Sequence, residues 1–169
     1  CETLHKTNFY PGGFSECIKV PEINVRFGTF KLPENVSFEE GTFIEPLGTI
    51  IRAQRLAGLK EDDTLLIIGS GLSGLLHIKF AKSKNVKKII AVDINESRLN
   101  AAKTFGADFL FNANENIPEN IKKINEKRLA DLVVVCTGAL SAAKQALQCV
   151  DKGGTILFFA VPNPDEKLE

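Results

Sequence analysis

Leu65-Leu66-Ile67-Ile68-Gly69-Ser70-Gly71-Leu72-Ser73-Gly74 opens the stretch that decides the fold, and Ala91-Val92-Asp93 closes it. A short apolar run breaks into G-x-G-x-x-G and ends, one helix and one strand later, on an acid. Each glycine has its own work in a dinucleotide-binding turn. Gly69 makes the tight strand-to-helix bend, Gly71 lets the backbone approach a pyrophosphate, and Gly74 lets the helix pack close on the sheet. The helix start that follows faces an anion with free N–H groups and the positive end of its dipole. Asp93 stands 19 positions after Gly74, near the roughly 20 expected of the acid that receives the adenosine ribose hydroxyls. A carboxylate at that place favours NAD over NADP.

A lone glycine pair would be weak evidence, but here it lies inside a strand–helix–strand unit that ends on the acid. A methyltransferase using S-adenosylmethionine also has a glycine-rich first turn, with the different spacing G-x-G-x-G. A short-chain dehydrogenase needs Tyr-x-x-x-Lys inside the nucleotide domain. Tyr10, the single tyrosine, precedes that domain and is followed by Pro11.

The bulk composition narrows the partners. Lys and Arg number 21 against 21 Asp and Glu, and no basic stripe is interleaved with aromatics. A small molecule is therefore the expected partner, with no nucleic acid and no membrane. The basic runs Lys82 to Lys88 and Lys122 to Arg128 fall near predicted helix ends and read as solvated faces. The apolar runs are far shorter than the roughly 18 residues of a membrane helix, and no signal peptide begins the sequence. Four cysteines, Cys1, Cys17, Cys136 and Cys149, lack C-x-x-C spacing, so reduced thiols and a cytoplasmic location are expected. The sequence has no methionine and begins on Cys1, and it reads as a piece of a longer protein.

Residues 1–45 are rich in Gly, Pro, Phe and Thr. Alternation in Phe14-Ser15-Glu16-Cys17-Ile18-Lys19-Val20 predicts half-buried antiparallel strands, and Ser37 with Glu40 has the spacing of a capping box. From Pro46 a helix begins that ends near Gly58. Strands are then expected at 64–69, 88–93, 108–112, 131–137 and 154–160, with helices at 73–84, 96–105, 117–127 and 139–149. Helices alternating with apolar strands require parallel strands and right-handed crossovers. The expected fold is α/β, a doubly wound parallel sheet over 46–169 that stops before a sixth strand, preceded by an incomplete β-rich segment over 1–45. The tips of the fourth and fifth strands, Thr137-Gly138 and the run to Pro162, lie at the ligand edge of such a sheet. Thr137-Gly138 reads equally as an ordinary strand-ending turn.

The segments Gly12-Gly13-Phe14-Ser15-Glu16, Leu32-Pro33, Ile44-Glu45-Pro46-Leu47-Gly48, Gly69-Ser70-Gly71, Ala91-Val92-Asp93 with Arg98-Leu99, Phe105-Gly106-Ala107-Asp108 and Thr137-Gly138, taken in order, resemble the zinc-dependent medium-chain dehydrogenases, in their sorbitol and alcohol dehydrogenase branch. The resemblance implies a doubly wound domain behind a GroES-like catalytic segment. It implies that Leu72, Ser73 and Gly74 lie against the pyrophosphate, that Asp93 and Arg98 hold the ribose, and that Thr137, Ala160, Val161 and Pro162 approach the nicotinamide. Arg98 reads equally as a surface cation paired with Glu96 or solvent. Glu45 matches the acid beside the catalytic zinc, as ligand or through its water, although an acid in a first helical turn needs no such role. Cys1 matches the last of four cysteines of a structural zinc lobe.

The implied cofactors are NAD and, in the complete parent, zinc, which would polarise an alcohol or polyol oxygen for hydride transfer. The implied assembly is a homo-oligomer through the sheet edge. The family's other zinc-binding segments have no counterpart here. His5 and His77 read as surface or interface histidines, and Cys17 as a buried inert thiol. Two other readings stand beside the parent enzyme: a nucleotide-binding module inactive by itself, and a zinc-free medium-chain reductase.

Overall fold

The apolar run of the opening stretch forms β1, Thr64–Ile68, at the centre of a parallel sheet, and every residue of it is buried. The structure is a computed structural model and describes residues 9–161. The chain divides into two compact units, Cys1–Thr42 and Phe43–Glu169.

In the second unit β1 is followed by β2 (Lys88–Asp93), β3 (Phe109–Asn112), β4 (Ala130–Val135) and β5 (Val150–Phe158), in the spatial order β3-β2-β1-β4-β5. Adjacent strands are all parallel, with Ile68 opposite both Val92 and Val135. Among the described residues this is the order of the first five strands of a doubly wound sheet. Alternate side chains feed two cores. Leu66, Ile68, Ile90, Val92, Val133 and Val135 lie on one face, and Leu65, Ile67, Ile89, Ala91, Leu132 and Val134 on the other. Because both faces are covered by helices, the strands read as continuous apolar runs rather than as alternation.

In the first unit α1 spans Glu22–Gly28 and α2 Phe38–Gly41. Ser37 and Glu40 close the expected capping box, the Glu40 amide donating to Ser37 Oγ at 3.1 Å and the Ser37 amide to the Glu40 carboxylate at 2.9 Å. Among the described residues the expected strands do not form. Among the described residues of this unit the β structure is one antiparallel bridge, Tyr10 with Lys19. Phe14, Ile18 and Val20 all stay exposed, because an alternating run becomes a strand only where a neighbouring sheet takes its apolar face. Cys17 is likewise exposed and not a buried thiol.

In the second unit α3 (Ile44–Ala57) ends on Gly58, left-handed at φ 72°. The other helices are α4 (Leu72–Ser83), α5 (Glu96–Phe105), α6 (Ile117–Ile124) and α7 (Leu140–Cys149). The predicted helix 117–127 stops early because Glu126 and Lys127 turn left-handed. Asn125 folds inward there, donating to the Leu129 carbonyl at 2.8 Å and accepting from Thr64 Oγ1 at 2.9 Å. β5 begins four residues sooner than expected. Val150 pairs with Ala130, and an excursion through Gly153 at φ 77° restores the ladder at Thr155 opposite Leu132. Among the described residues no helix is long and apolar enough to cross a membrane.

Candidate functional site

The carboxyl ends of β1, β2 and β4 open onto a cleft of about 490 Å³. The glycine turn forms its floor. Gly69 sits at φ 95°, a conformation that a side chain resists, and a Cβ there would come within 3.2 Å of the Cys136 backbone. At Gly74 an added Cβ would run into the Gly69 carbonyl oxygen, so α4 lies against the turn only because that position has no side chain. Gly71 differs: it lines the cleft, and a Cβ there would meet nothing within 4 Å. Its backbone, φ −73° and ψ −166°, is open to any residue. Space in front of the turn, not strain within it, is what Gly71 preserves.

Gly71 is also the N-cap of α4, and no side chain caps that helix. Ala139, at the N-cap of α7 and likewise in the cleft wall, provides no cap either. By contrast Asn95 caps α5, its Oδ1 accepting from the Ser97 and Arg98 amides at 2.9 and 3.2 Å, and Asn116 caps α6. First-turn amides without an internal cap are available to an anion.

Asp93 ends β2 at the lip of the cleft and is only 5% exposed. Its Oδ2 accepts from the Ser70 amide at 2.7 Å and its Oδ1 from the Asn95 amide at 2.9 Å. The acid is thereby tied to the glycine turn on one side and to the start of α5 on the other. Each carboxylate oxygen has about two acceptor sites, which leaves capacity on both for further donors. Arg98, with its side chain 59% exposed, reaches Asp93 Oδ2 at 3.9 Å. Glu96 turns instead to the Asn112 side chain, at 3.3 Å.

Gly69, Gly71, Asp93, Arg98 and Thr137 are thus gathered in one cleft. Leu72, Ser73 and Gly74 open α4 beside it. Thr137 does double duty, since its hydroxyl also accepts from the Ala139 amide at 3.4 Å as a turn residue would. Ala160 is held at the tip of β4 through its amide, which donates to the Val135 carbonyl at 3.1 Å. Val161 is exposed. Pro162, Cys1 and His5 lie outside the described residues. The wall contains residues that the spacing argument passed over, Ile94, Ala113, Asn114, Ser141 and Gln145. They follow β2 and β3 or lie one helical turn apart in α7. The rule that ligands meet strand ends and the helix after β4 would have found them.

The wall residue Cys136 is no thiolate: burial pushes its thiol up to about 12. His77 is fully buried and not a surface histidine. Its place in α4 turns it toward α3 and the core, where burial lowers its imidazole to about 4. Glu45 lies exposed in the first turn of α3. A zinc site requires several convergent ligands, and among the described residues no three His, Cys, Asp or Glu side chains group together. The described residues therefore do not fit a zinc site by themselves.

Comparison with known proteins agrees with this geometry. Residues 74–169 match the family model described as zinc-binding dehydrogenase. Sorbitol dehydrogenase from Ovis aries is 36% identical over 132 residues, covering 76% of this chain and 37% of that protein. D-xylulose reductase from Saccharomyces cerevisiae is 36% identical over 133 residues, with the same coverage of 76% and 37%. The crystal structure of galactitol-1-phosphate dehydrogenase from Escherichia coli superposes with a TM-score of 0.80 at 29% identity, covering 94% of this chain and 45% of that one. The chain spans about 37% of the length of the curated relatives it matches. With the doubly wound sheet, the glycine turn and a family model reaching from that turn to the end of the sequence, the chain belongs to the zinc-binding dehydrogenase family.

Proposed function

We propose that residues 46–169 form an NAD(H)-binding domain and that residues 1–45 belong to the catalytic domain of a zinc-dependent polyol dehydrogenase. The observation that carries the cofactor reading is the pairing of an open, uncapped helix start at Gly71 with a carboxylate at the cleft lip, Asp93. The pyrophosphate is assigned to the amides of Leu72 and Ser73, over Gly69 and Gly71 and beside Gly74. The adenosine ribose hydroxyls are assigned to the free acceptor sites of Asp93, with Arg98 alongside. A 2′-phosphate would bring negative charge against a buried carboxylate, which disfavours NADP. The nicotinamide half then extends across β1 toward Thr137, Ala160 and Val161, the opposite direction from Asp93, and Pro162 is proposed to contact it as well. When bound, the nicotinamide accepts or supplies a hydride; this chain's part is to hold and orient it.

The polyol substrate rests on the printed names of the relatives, sorbitol dehydrogenase and D-xylulose reductase. Glu45 and Cys1 are the residues of this chain proposed toward zinc. Since the described residues group no ligand set, a second reading is favoured for the polypeptide alone: it binds nucleotide without turning over alcohol. Among the described residues Cys17, Cys136 and Cys149 are free thiols, which supports a reducing, cytoplasmic setting, and association through the sheet edge is the proposed mode of oligomerisation.

Calorimetric titration of the folded chain with NADH and with NADPH tests the cofactor reading. NADH is expected to bind at least about tenfold tighter, a difference of ~1.4 kcal/mol. Absence of binding by either nucleotide would overturn the reading, and tighter NADPH would overturn the role given to Asp93. Steady alcohol oxidation by this chain alone with added zinc would refute the second reading.

A further inference from the structure

His77 lies in α4, the helix that opens at the glycine turn, and is 0% exposed. Gln54, buried in α3, donates from Nε2 to the His77 carbonyl at 2.9 Å and lies 3.1 Å from His77 Nδ1. The carbonyl can only accept, so it fixes which end of the Gln54 amide faces His77. The second Nε2 proton then falls to Nδ1, which must be the bare nitrogen. The ring is therefore neutral with its proton on Nε2, and Nε2 has no hydrogen-bond partner. Among the described residues Gln54 is the imidazole's hydrogen-bond partner, and the ring also makes an aromatic contact. It meets the ring of Phe159 at right angles, with centroids 4.8 Å apart and an interplanar angle of 88°. Phe159 is the residue immediately after β5. Its amide and that of Ala160 both donate to the Val135 carbonyl, at 3.0 and 3.1 Å.

A polar pair buried between two helices, with one nitrogen and one oxygen unsatisfied, is a costly way to fill a core. What it achieves is a fixed edge-on contact with Phe159 at the point where β5 ends and the ligand edge begins. We propose that His77 is a positioning residue for the nicotinamide half of the bound dinucleotide, acting through Phe159 to hold the Phe159–Ala160 turn against the tip of β4. This rests on the NAD(H) reading above. In a doubly wound sheet the ligand lies across the strand ends at the order reversal. With the ribose acid on β2 and the phosphate turn after β1, the other half of the ligand reaches β4 and β5. The adenosine half lies on the far side of β1 from Phe159.

The test compares two ligands on the whole 169-residue chain: NADH, and ADP-ribose, which lacks the nicotinamide. His77→Ala is expected to weaken NADH about tenfold, the effect of ~1.4 kcal/mol, while ADP-ribose changes less than about twofold. Phe159→Leu, at a partly exposed position that keeps apolar bulk, is expected to show the same split and serves where His77→Ala fails to fold. A split confined to NADH in either folded variant supports the proposal. Unchanged affinity for both ligands overturns it, as does an equal loss for both, which marks a general structural role. Failure of the unmodified chain to bind either ligand overturns the cofactor reading and this inference with it, whereas normal binding without the split overturns this inference alone.

Discussion

The three glycines within six positions have separate roles in the turn, and the structure gives their replacement different consequences. Gly74 leaves no room for a Cβ against the Gly69 carbonyl, whereas Gly71 leaves open space. Gly74→Ala is expected to destabilise the domain by about 3 kcal/mol or more through overpacking. At roughly 2–4 °C per kcal/mol for a chain of this size, thermal melting should fall by about 10 °C. Gly71→Ala, in an ordinary backbone conformation, should leave the melting temperature unchanged and lower NADH affinity by about tenfold or more, since a methyl group there stands where a pyrophosphate would approach. His77 supplies a second prediction at this scale. Its imidazole is lowered from 6.5 to about 4 by burial, so between those values the unfolded chain binds a proton that the folded chain does not. The sign follows: this contribution is complete above pH 6.5 and is lost as pH falls toward 4. It amounts to about 3 kcal/mol. Melting curves at pH 7 and pH 4.5 should show a smaller acid-induced drop for His77→Leu than for the unmodified chain.

At the scale of elements, helix starts and a sheet edge matter most. Asn95 and Asn116 cap their helices with the short polar side chain that this position favours. The starts at Gly71 and Ala139 have no side-chain cap, and the fold brings both to the border of one cleft. β5 forms the edge of the sheet beside β4, with Phe158 half-exposed at its end. An apolar edge strand invites pairing with another chain. Sedimentation velocity is expected to show concentration-dependent self-association, and Phe158→Lys is expected to reduce it. A monomer at all concentrations would remove the edge as an association surface.

At the scale of the whole molecule, what was legible follows from how each signal is encoded. The five parallel strands and their helices were readable because both sheet faces are covered, which leaves unmistakable apolar runs between helical segments. Residues 1–45 misled because Phe14 to Val20 alternates like a strand without a sheet partner among the described residues of its unit. His77 misled for a related reason: one histidine in a helix has no period of its own, and its burial depends on Gln54, 23 positions away in sequence. The sequence by itself determined the doubly wound order and the spacing of glycine turn and acid, since hydrophobic periodicity and turn chemistry act over a few residues. Only the tertiary structure decided that Asp93 is tied to Ser70, that Ala113 and Gln145 share a wall with Gly71, and that His77 is neutral and buried against Phe159. Those facts depend on contacts between residues distant in the chain, and no local pattern encodes them.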